Sequence, residues 1–143
     1  AALPWHMRME YVGDEALRPF LAEPSQWNQI VFNLCLNAIQ AMEKSGGTLT
    51  GALAEREMPC DEKNRLGAGR YVCLSVSDEG PGIPAQIQAR IFEPFFTTKS
   101  PDLNSGLGLS VTAGIVMGYG GTIRVAEREG RGSRFEVWLP INE

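Results

Sequence analysis

The spacing of apolar residues divides the start of the chain into an alternating segment and a helical one. Every second residue between positions 5 and 11 is apolar, which predicts a half-buried strand with His6 facing solvent. From Ser25 to Glu43 apolar residues recur three and four positions apart, and this spacing predicts an amphipathic helix. Pro24 suits the first position of that helix, and the glycines at 46 and 47 end it.

The later segments predict four more strands and two more helices. The strands are expected at Thr48–Arg56, Tyr71–Asp78, Thr122–Ala126 and Arg134–Leu139, and the helices at the apolar series Ile83, Ile87, Ile91 and Leu107, Val111, Ile115, Met117. We expect the first two of these strands to form a hairpin. Because strands and helices occur in runs without strict alternation, the pattern favours an α+β fold: a two-layer sandwich with the helices on one face of a mixed, mostly antiparallel sheet.

Composition sets limits on this picture. With 143 residues, 43% of them hydrophobic, the chain suits one compact domain spanning residues 1–143. The net charge of −4 argues against nucleic acid as a partner, and no apolar run approaches the roughly 20 residues that a membrane contact by a spanning helix requires. Cys35, Cys60 and Cys73 are odd in number and far apart, which argues against a disulfide framework or zinc site and favours a cytoplasmic location.

An acid at the end of a strand is the first candidate for binding chemistry. Asp78 has the same strand parity as Val72 and Val76, so its carboxylate is expected on the core side of the sheet, just before a turn with Gly80 and Gly82. A buried carboxylate needs a donor, and the N6 amine of adenine is a donor that would also give base specificity. In the alternative interpretation Asp78 only fixes a turn.

Two asparagines on the first long helix are the second candidate. Asn33 and Asn37 are four residues apart and therefore share a helix face, displaced from the apolar stripe. Neighbouring amide oxygens suit a hard cation, and magnesium bound in this way takes its remaining ligands from waters and substrate phosphates. Alternatively, one asparagine bonds locally and the other is merely exposed.

A second glycine cluster precedes the last predicted helix. Gly106 and Gly108 lie where unpaired N–H groups and the helix dipole attract phosphate. Residues 93–106 have no clear period and the length of a lid, and Lys99 within them would reach a terminal phosphate if the segment folded over a nucleotide. Alternatively, the glycines form a hinge, Lys99 is solvated, and Phe92 with its neighbouring aromatic residues packs on the core.

Taken in order, these segments resemble the ATP-binding catalytic domain of sensor histidine kinases, in the superfamily that also contains gyrase, the Hsp90 chaperones and the mismatch-repair clamp proteins. The resemblance covers nearly the whole chain and is strongest to kinases of the nitrogen-regulatory or hybrid type. The matching segments are the N box Asn33–Ala38, the first glycine box Asp78–Pro84, the F box Phe92–Lys99, most of the second glycine box at Ser105–Leu109, and the last glycine-rich turn Gly130–Phe135.

The resemblance implies a Bergerat-type sandwich that binds ATP and Mg²⁺, with residues 93–106 as the ATP lid. It implies that Asn37 coordinates the metal, that Asn33 and Lys99 act in catalysis at the phosphates, and that Ser133 assists Asp78 through a water molecule. The nucleotide contacts it implies are Asn33, Asn37, Asp78, Gly80, Gly82, Ile83, Phe92, Lys99, Ser105, Gly106, Leu107, Gly108, Leu109 and Ser133.

The chain departs from the family pattern at three positions. Asn104 stands where the second glycine box usually begins with glycine, and asparagine is the non-glycine residue best able to adopt a left-handed backbone. Gln40 occupies a position where some members have a phosphate-binding lysine. Tyr119 replaces a histidine, a change that we expect to affect packing more than chemistry.

These features favour transfer of the γ-phosphoryl group of Mg·ATP to a histidine on a separate dimerisation domain, with a response-regulator receiver domain downstream. Related ATPases and serine-directed kinases have a glutamate base where this chain has Asn33, and an amide cannot remove a proton. His6 lies in a strand without the setting of an acceptor histidine. We therefore expect a fragment of a longer sensor, monomeric alone and homodimeric in the full protein. A nucleotide-binding module without phosphotransfer remains the alternative from another class.

Overall fold

The computed structural model describes residues 6–13, 22–58, 67–88, 90–93, 108–127 and 132–141. Its elements are β1 (Met7–Gly13), α1 (Pro24–Ala41), β2 (Gly47–Met58), β3 (Gly69–Ser77), α2 (Ala85–Gln88), α3 (Gly108–Gly118), β4 (Thr122–Glu127) and β5 (Ser133–Pro140). The predicted α+β fold is confirmed. In these ranges no helix combines the length and hydrophobicity that crossing a bilayer requires.

The five strands form one mixed sheet in the order β1-β2-β3-β5-β4. β1 runs parallel to β2, whereas the β2–β3, β3–β5 and β5–β4 pairs are antiparallel. The predicted hairpin of the second and third strands is therefore correct. Because β3 and β5 are antiparallel neighbours, the residues that follow β3 lie beside the first residues of β5, at one end of the two strands.

The hydrophobic core lies between the sheet and the helices α1 and α3. Alternate residues of β3 and β5 face this layer, as the period of two requires. The buried residues of this core include Leu74 and Val76 of β3, Phe135, Val137 and Leu139 of β5, Ile30, Leu34 and Ala38 of α1, and Val116 of α3. Helix α1 begins as predicted, with Pro24 in its first turn and the Glu23 side chain accepting a hydrogen bond from the Gln26 N–H.

The alternating face predicted for β1 is wrong beyond its first residue. Met7 is buried in the core, but Met9 is 52% exposed and Tyr11 is 64% exposed. The reason is that β1 is an edge strand, whereas α1 packs over β2 and β3. His6 also does not simply face solvent: it is half-buried, and its Nε2 lies 3.0 Å from the carbonyl oxygen of Glu43 just after α1.

In α3 the predicted helix is present, but its buried residues differ from the predicted apolar series. The buried side chains are Thr112 and Val116, whereas Val111 is 44% exposed and Met117 is 69% exposed. Leu107, the first member of the predicted series, lies outside the described residues. A polar residue therefore occupies the position where α3 meets α1.

Tyr119 joins the end of α3 to the beginning of α1. Its hydroxyl accepts a hydrogen bond of 2.8 Å from the Glu23 N–H and donates one of 2.6 Å to Oε1 of Gln26. A tyrosine at this position therefore satisfies a backbone donor at the start of a helix, where such donors lack intrahelical partners.

The sheet face opposite the helices contains a charged cluster around Glu136. Its carboxylate accepts hydrogen bonds from Arg124 Nε at 2.9 Å and Trp138 Nε1 at 3.2 Å, and Arg134 forms an ion pair with its other oxygen at 3.2 Å. Burial alone raises the pKa of Glu136, but the hydrogen bonds and the two arginine charges outweigh burial and hold this pKa below its ordinary value. Burial and the charge of Glu136 raise the pKa of the Cys73 thiol to about 11, so this thiol stays protonated at neutral pH.

We predict that Tyr119→Phe lowers the free energy of unfolding by about 0.5–1 kcal/mol, because it removes the hydroxyl that bridges the Glu23 N–H and Gln26. Urea unfolding followed by circular dichroism measures the change. Tyr11→Phe is the matched control, since Tyr11 is mostly exposed, and it should change stability by less than about 0.5 kcal/mol. Equal stability of Tyr119→Phe and the parent would contradict the prediction.

We further predict that the stabilisation provided by Glu136 depends on pH. Because the folded-state pKa of Glu136 is lowered, its contribution is present above the unfolded-state pKa and is lost as the pH falls through the folded-state value. Urea midpoints of the parent and Glu136→Gln, measured from neutral to acidic pH, should therefore converge below the ordinary glutamate range. A gap between the two proteins that stays constant over this range would refute the assignment.

Candidate functional site

Asp78 follows β3 with its carboxylate buried on the core side, as the strand parity predicts. The residue is 1% exposed. Its Oδ1 accepts a hydrogen bond of 2.9 Å from the Gly80 N–H, and its Oδ2 accepts one of 2.8 Å from the Ser133 hydroxyl. Ser133 and Asp78 therefore contact each other directly and not through the predicted water molecule. The Asp78 N–H also donates to the Ser133 carbonyl at 2.9 Å, and this backbone contact brings the two side chains together.

Glycines allow the turns around Asp78 to touch each other. Gly132 has a φ of +107°, and a Cβ there would lie 1.9 Å from the Asp78 carbonyl oxygen. Gly82 has a φ of +85°, and a Cβ there would lie 3.2 Å from the Gly132 oxygen. Only glycine combines this backbone with this spacing, so the first glycine box and the last glycine-rich turn form one structural unit.

The Asp78 turn is also attached to α1 and to β2. A Cβ on Gly80 would lie 2.6 Å from the Ala41 carbonyl oxygen at the end of α1. The neighbouring Glu79 accepts a hydrogen bond of 2.6 Å from the Thr48 N–H at the start of β2. The sequence did not predict a role for Glu79. If the β2–β3 pairing is continued by two residues beyond Thr50 and Ser77, Glu79 lies opposite Thr48, and this position could have identified it.

Asn33 lies inside the molecule, where α1 meets the start of α3. Asn33 is 8% exposed. Its side chain is displaced from the apolar stripe as predicted, but it faces α3 and not solvent. Its Nδ2 donates to the Gly108 carbonyl at 3.1 Å and to Thr112 Oγ1 at 3.0 Å, and its Oδ1 accepts from Gln29 Nε2 at 3.0 Å. Gln29 and Thr112 had not been predicted as part of the site.

Asn37 lies one turn further along α1 and is half-buried. Among the described residues no three His, Cys, Asp or Glu side chains cluster. Binding of a cation by Asn37 stays a prediction. An amide oxygen with water and phosphate oxygens matches the ligands that magnesium takes.

The apolar residues predicted to contact nucleotide pack against the core. Phe92 makes an edge-to-face contact with Phe135, with ring centroids 6.3 Å apart and an interplanar angle of 84°. Ile83 and Leu109 are partly buried against the same core cluster. The packing of Phe92 agrees with the core interpretation, and a nucleotide contact by any of the three stays a prediction.

Several predicted residues lie outside the described part of the chain. These are Lys99, Asn104, Ser105, Gly106, Leu107 and, apart from Glu93, the predicted lid over residues 93–106. Gly108 is described and is the first residue of α3. Of the phosphate side of the predicted site, the structure therefore shows the helix start and its attachment to Asn33.

The candidate site has two ends, and both are attached to α1. One end is the buried acceptor Asp78, which contacts α1 through Gly80 and Ala41. The other end is the start of α3, which is attached to α1 through Asn33. A buried carboxylate can recognise an amine donor, and a helix N-terminus favours an anion, so the two ends match opposite parts of a nucleotide.

A family model described as "Histidine kinase-, DNA gyrase B-, and HSP90-like ATPase" matches residues 22–143. The sensor histidine kinase ZraS of Escherichia coli (strain K12) is 40% identical over 136 residues, which cover 95% of this chain and 26% of that protein. The sensor kinase CckA of Brucella abortus (strain 2308) is 40% identical over 129 residues, which cover 87% of this chain and 13% of that protein. The chain thus spans about a quarter or less of these relatives.

Solved structures with the same fold include full-length ShkA in complex with AMPPNP. That structure has a TM-score of 0.74 and 26% identity, and the match covers 94% of this chain and 26% of ShkA. The catalytic domain of the histidine kinase ThkA in a nucleotide-free form has a TM-score of 0.70 and 28% identity, and the match covers 95% of this chain and 80% of that domain.

We predict that Gly132→Ala lowers the free energy of unfolding by at least about 2 kcal/mol, because its Cβ would collide with the Asp78 carbonyl in a backbone conformation that disfavours side chains. Gly114→Ala is the matched control. Gly114 lies in α3 with open space at its Cβ, so alanine there should stabilise the protein by up to about 1 kcal/mol. Chemical denaturation measures both variants, and a similar effect of both would contradict the prediction.

Proposed function

This chain belongs to the family of histidine kinase-, DNA gyrase B- and HSP90-like ATPases, and we propose that it binds Mg·ATP and donates the γ-phosphoryl group to a histidine on a separate dimerisation domain. In this proposal it is the catalytic domain of a two-component sensor histidine kinase. The match to the family over residues 22–143 and the 40% identity to proteins named sensor kinases support this activity over others in the family.

The single observation on which the proposal depends most is the buried carboxylate of Asp78. Both oxygens are oriented by neighbours, Oδ1 by the Gly80 N–H and Oδ2 by the Ser133 hydroxyl. A carboxylate oxygen can accept more than one hydrogen bond, so this orientation of both oxygens is compatible with a donor such as the N6 amine of adenine. Asp78 thus reads the base, and Gly80 and Gly82 let the chain pass close beside it.

The phosphates lie, in this proposal, at the start of α3. Gly108 and the residues before it supply backbone N–H groups, and Asn37 on the adjacent helix supplies an amide oxygen for Mg²⁺. The metal, when bound, neutralises charge on the phosphate oxygens. Lys99 on the lid reaches the terminal phosphate, and Asn33 keeps the start of α3 in place through its bond to the Gly108 carbonyl.

The nature of position 33 favours histidine as the phosphoryl acceptor. The Asn33 amide cannot act as a general base for water or a serine hydroxyl, and its Oδ1 accepts a hydrogen bond from Gln29. Imidazole is a nucleophile at neutral pH without such a base. His6, the one histidine of the sequence, has its Nε2 against the Glu43 carbonyl, so the acceptor belongs to another domain.

The partners follow from this chemistry. The first is the histidine-bearing dimerisation domain of the same protein, and the second is the receiver domain of a response regulator. We propose that the full protein is a homodimer with this domain in the cytoplasm, and that the 143-residue chain alone is monomeric.

Labelled ATP tests the proposal directly. The 143-residue chain is mixed with [γ-³²P]ATP, magnesium and the dimerisation domain encoded with it, and acid-labile, base-stable label on that domain identifies phosphohistidine. Binding of Mg·ATP without transfer would favour the nucleotide-binding module, and release of inorganic phosphate without labelled protein would favour an ATPase. A chain that binds no ATP would exclude all three.

We predict separate effects of two substitutions on ATP binding. Asp78→Asn should weaken ATP binding at least about tenfold with or without magnesium, because an amide replaces the acceptor for the adenine amine. Asn37→Ala should abolish the gain in affinity that magnesium gives and leave magnesium-free binding in place. Asn28→Ala, at an exposed asparagine of the same helix, is the control. Isothermal titration calorimetry measures the affinities, and unchanged binding by both variants would rule out the site assignment.

A further inference from the structure

Four residues between α1 and α3 form a continuous hydrogen-bonded chain beside the proposed phosphate site. Gln29 donates to Asn33, Asn33 donates to Thr112 and to the Gly108 carbonyl, and Thr112 donates to the same carbonyl at 2.9 Å. Thr112 is fully buried. The chain thus connects a residue on the exposed side of α1 to the first residue of α3.

We propose that Thr112 and Gln29 are positioning residues of the nucleotide site, which fix the Asn33 amide in one orientation and thereby hold the phosphate-binding start of α3 against the magnesium-binding helix α1. This inference rests on the proposed function, because it concerns the phosphate end of the same site. It assigns no contact with nucleotide to either residue.

The number of hydrogens available for donation fixes the orientation of the Asn33 amide. The Thr112 hydroxyl has one hydrogen, and the hydroxyl donates it to the Gly108 carbonyl. Toward Asn33 it can therefore only accept, which places Nδ2 of Asn33 on the α3 side and Oδ1 on the Gln29 side. A reversed amide would set Oδ1 against the Gly108 carbonyl, and two acceptors repel.

The consequence for binding is geometric. Nδ2 of Asn33 donates to α3 at two points, the carbonyl of the first helical residue and the buried Thr112 side chain one turn later. These two bonds restrain the translation and the rotation of the start of α3 relative to α1. Phosphate at the helix start must lie within coordination distance of magnesium on Asn37, so a poorly positioned α3 lowers affinity at this end of the site.

The base end has its own supports. Asp78 is held by Gly80 and Ser133 and contacts α1 near Ala41, two turns or more from Asn33. A change at Thr112 should therefore act on the phosphates and leave adenine recognition intact. This separation distinguishes positioning of the phosphate end from a general loss of structure.

The test compares two ligands on the 143-residue chain. Mg·ATP occupies both ends of the site, whereas adenosine occupies only the base end. Thr112→Val preserves shape and branching but removes the hydroxyl, and it should weaken Mg·ATP binding about tenfold while adenosine binding stays unchanged. Thr112→Ser should restore Mg·ATP affinity, since it restores the hydroxyl. Calorimetry measures Mg·ATP, and ligand-detected NMR measures adenosine.

Two further variants complete the experiment. Gln29→Met retains side-chain length without the donor, and it should weaken Mg·ATP binding by about threefold, less than Thr112→Val because this bond is partly solvated. Gln29→Met also keeps the test valid if Thr112→Val fails to fold. Thr122→Val on β4, at the opposite edge of the sheet from β1, is the matched control and should change neither affinity.

The outcomes separate this inference from the proposed function. Wild-type protein that binds adenosine but not Mg·ATP would overturn the proposed function and this inference with it. Wild-type protein that binds Mg·ATP, with Thr112→Val and Gln29→Met equal to it, would overturn this inference alone. An equal loss of Mg·ATP and adenosine affinity in Thr112→Val, with no rescue by serine, would show a merely structural role and would also overturn it.

Discussion

Burial of the Asp78 carboxylate is the constraint on which the rest of the site depends. A carboxylate that is almost fully removed from water needs donors, and here the Gly80 N–H and the Ser133 hydroxyl supply them. These donors come from turns more than fifty residues apart in sequence. Both turns must therefore approach within backbone contact, and the positive φ values of Gly82 and Gly132 make that approach possible. Gly82 and Gly132 are therefore required by the burial of one carboxylate.

Helix α1 serves as the common reference for both ends of the site. Its last turn contacts the Asp78 turn through Ala41 and Gly80, and its middle holds the start of α3 through Asn33. Tyr119 adds a third attachment at the first turn of α1. A helix anchored at three points fixes the distance between the Asp78 carboxylate and the start of α3. The three attachments therefore hold the two ends of the candidate site at a set separation.

The positions where sequence pattern and structure disagree have physical causes. The alternation of apolar and polar residues in the first segment correctly predicted β1. The strand lies at the edge of the sheet, however, where its apolar side chains share one face and still stay exposed beyond Met7. In α3 the apolar spacing predicted the helix, yet the buried residue at the α1 contact is Thr112. Its hydroxyl is satisfied by Asn33 and Gly108, so a polar side chain is tolerated at full burial. Ser133 bonds Asp78 directly because the turns already touch.

The sequence by itself determined the class of fold, most element positions, the orientation of Asp78 and the family, because these depend on local periodicity and on motifs of fixed spacing. It did not determine which side chains complete the site. Thr112 and Glu79 act through partners 79 and 31 residues away, and only the packing of helices and turns decides such contacts. Gln29 bonds to Asn33 one turn along the same helix, but only the packing of α3 against Asn33 makes that bond part of the site. The tertiary structure also decided the role of Asn33, whose amide is turned toward α3 because that helix, and not solvent, lies against it.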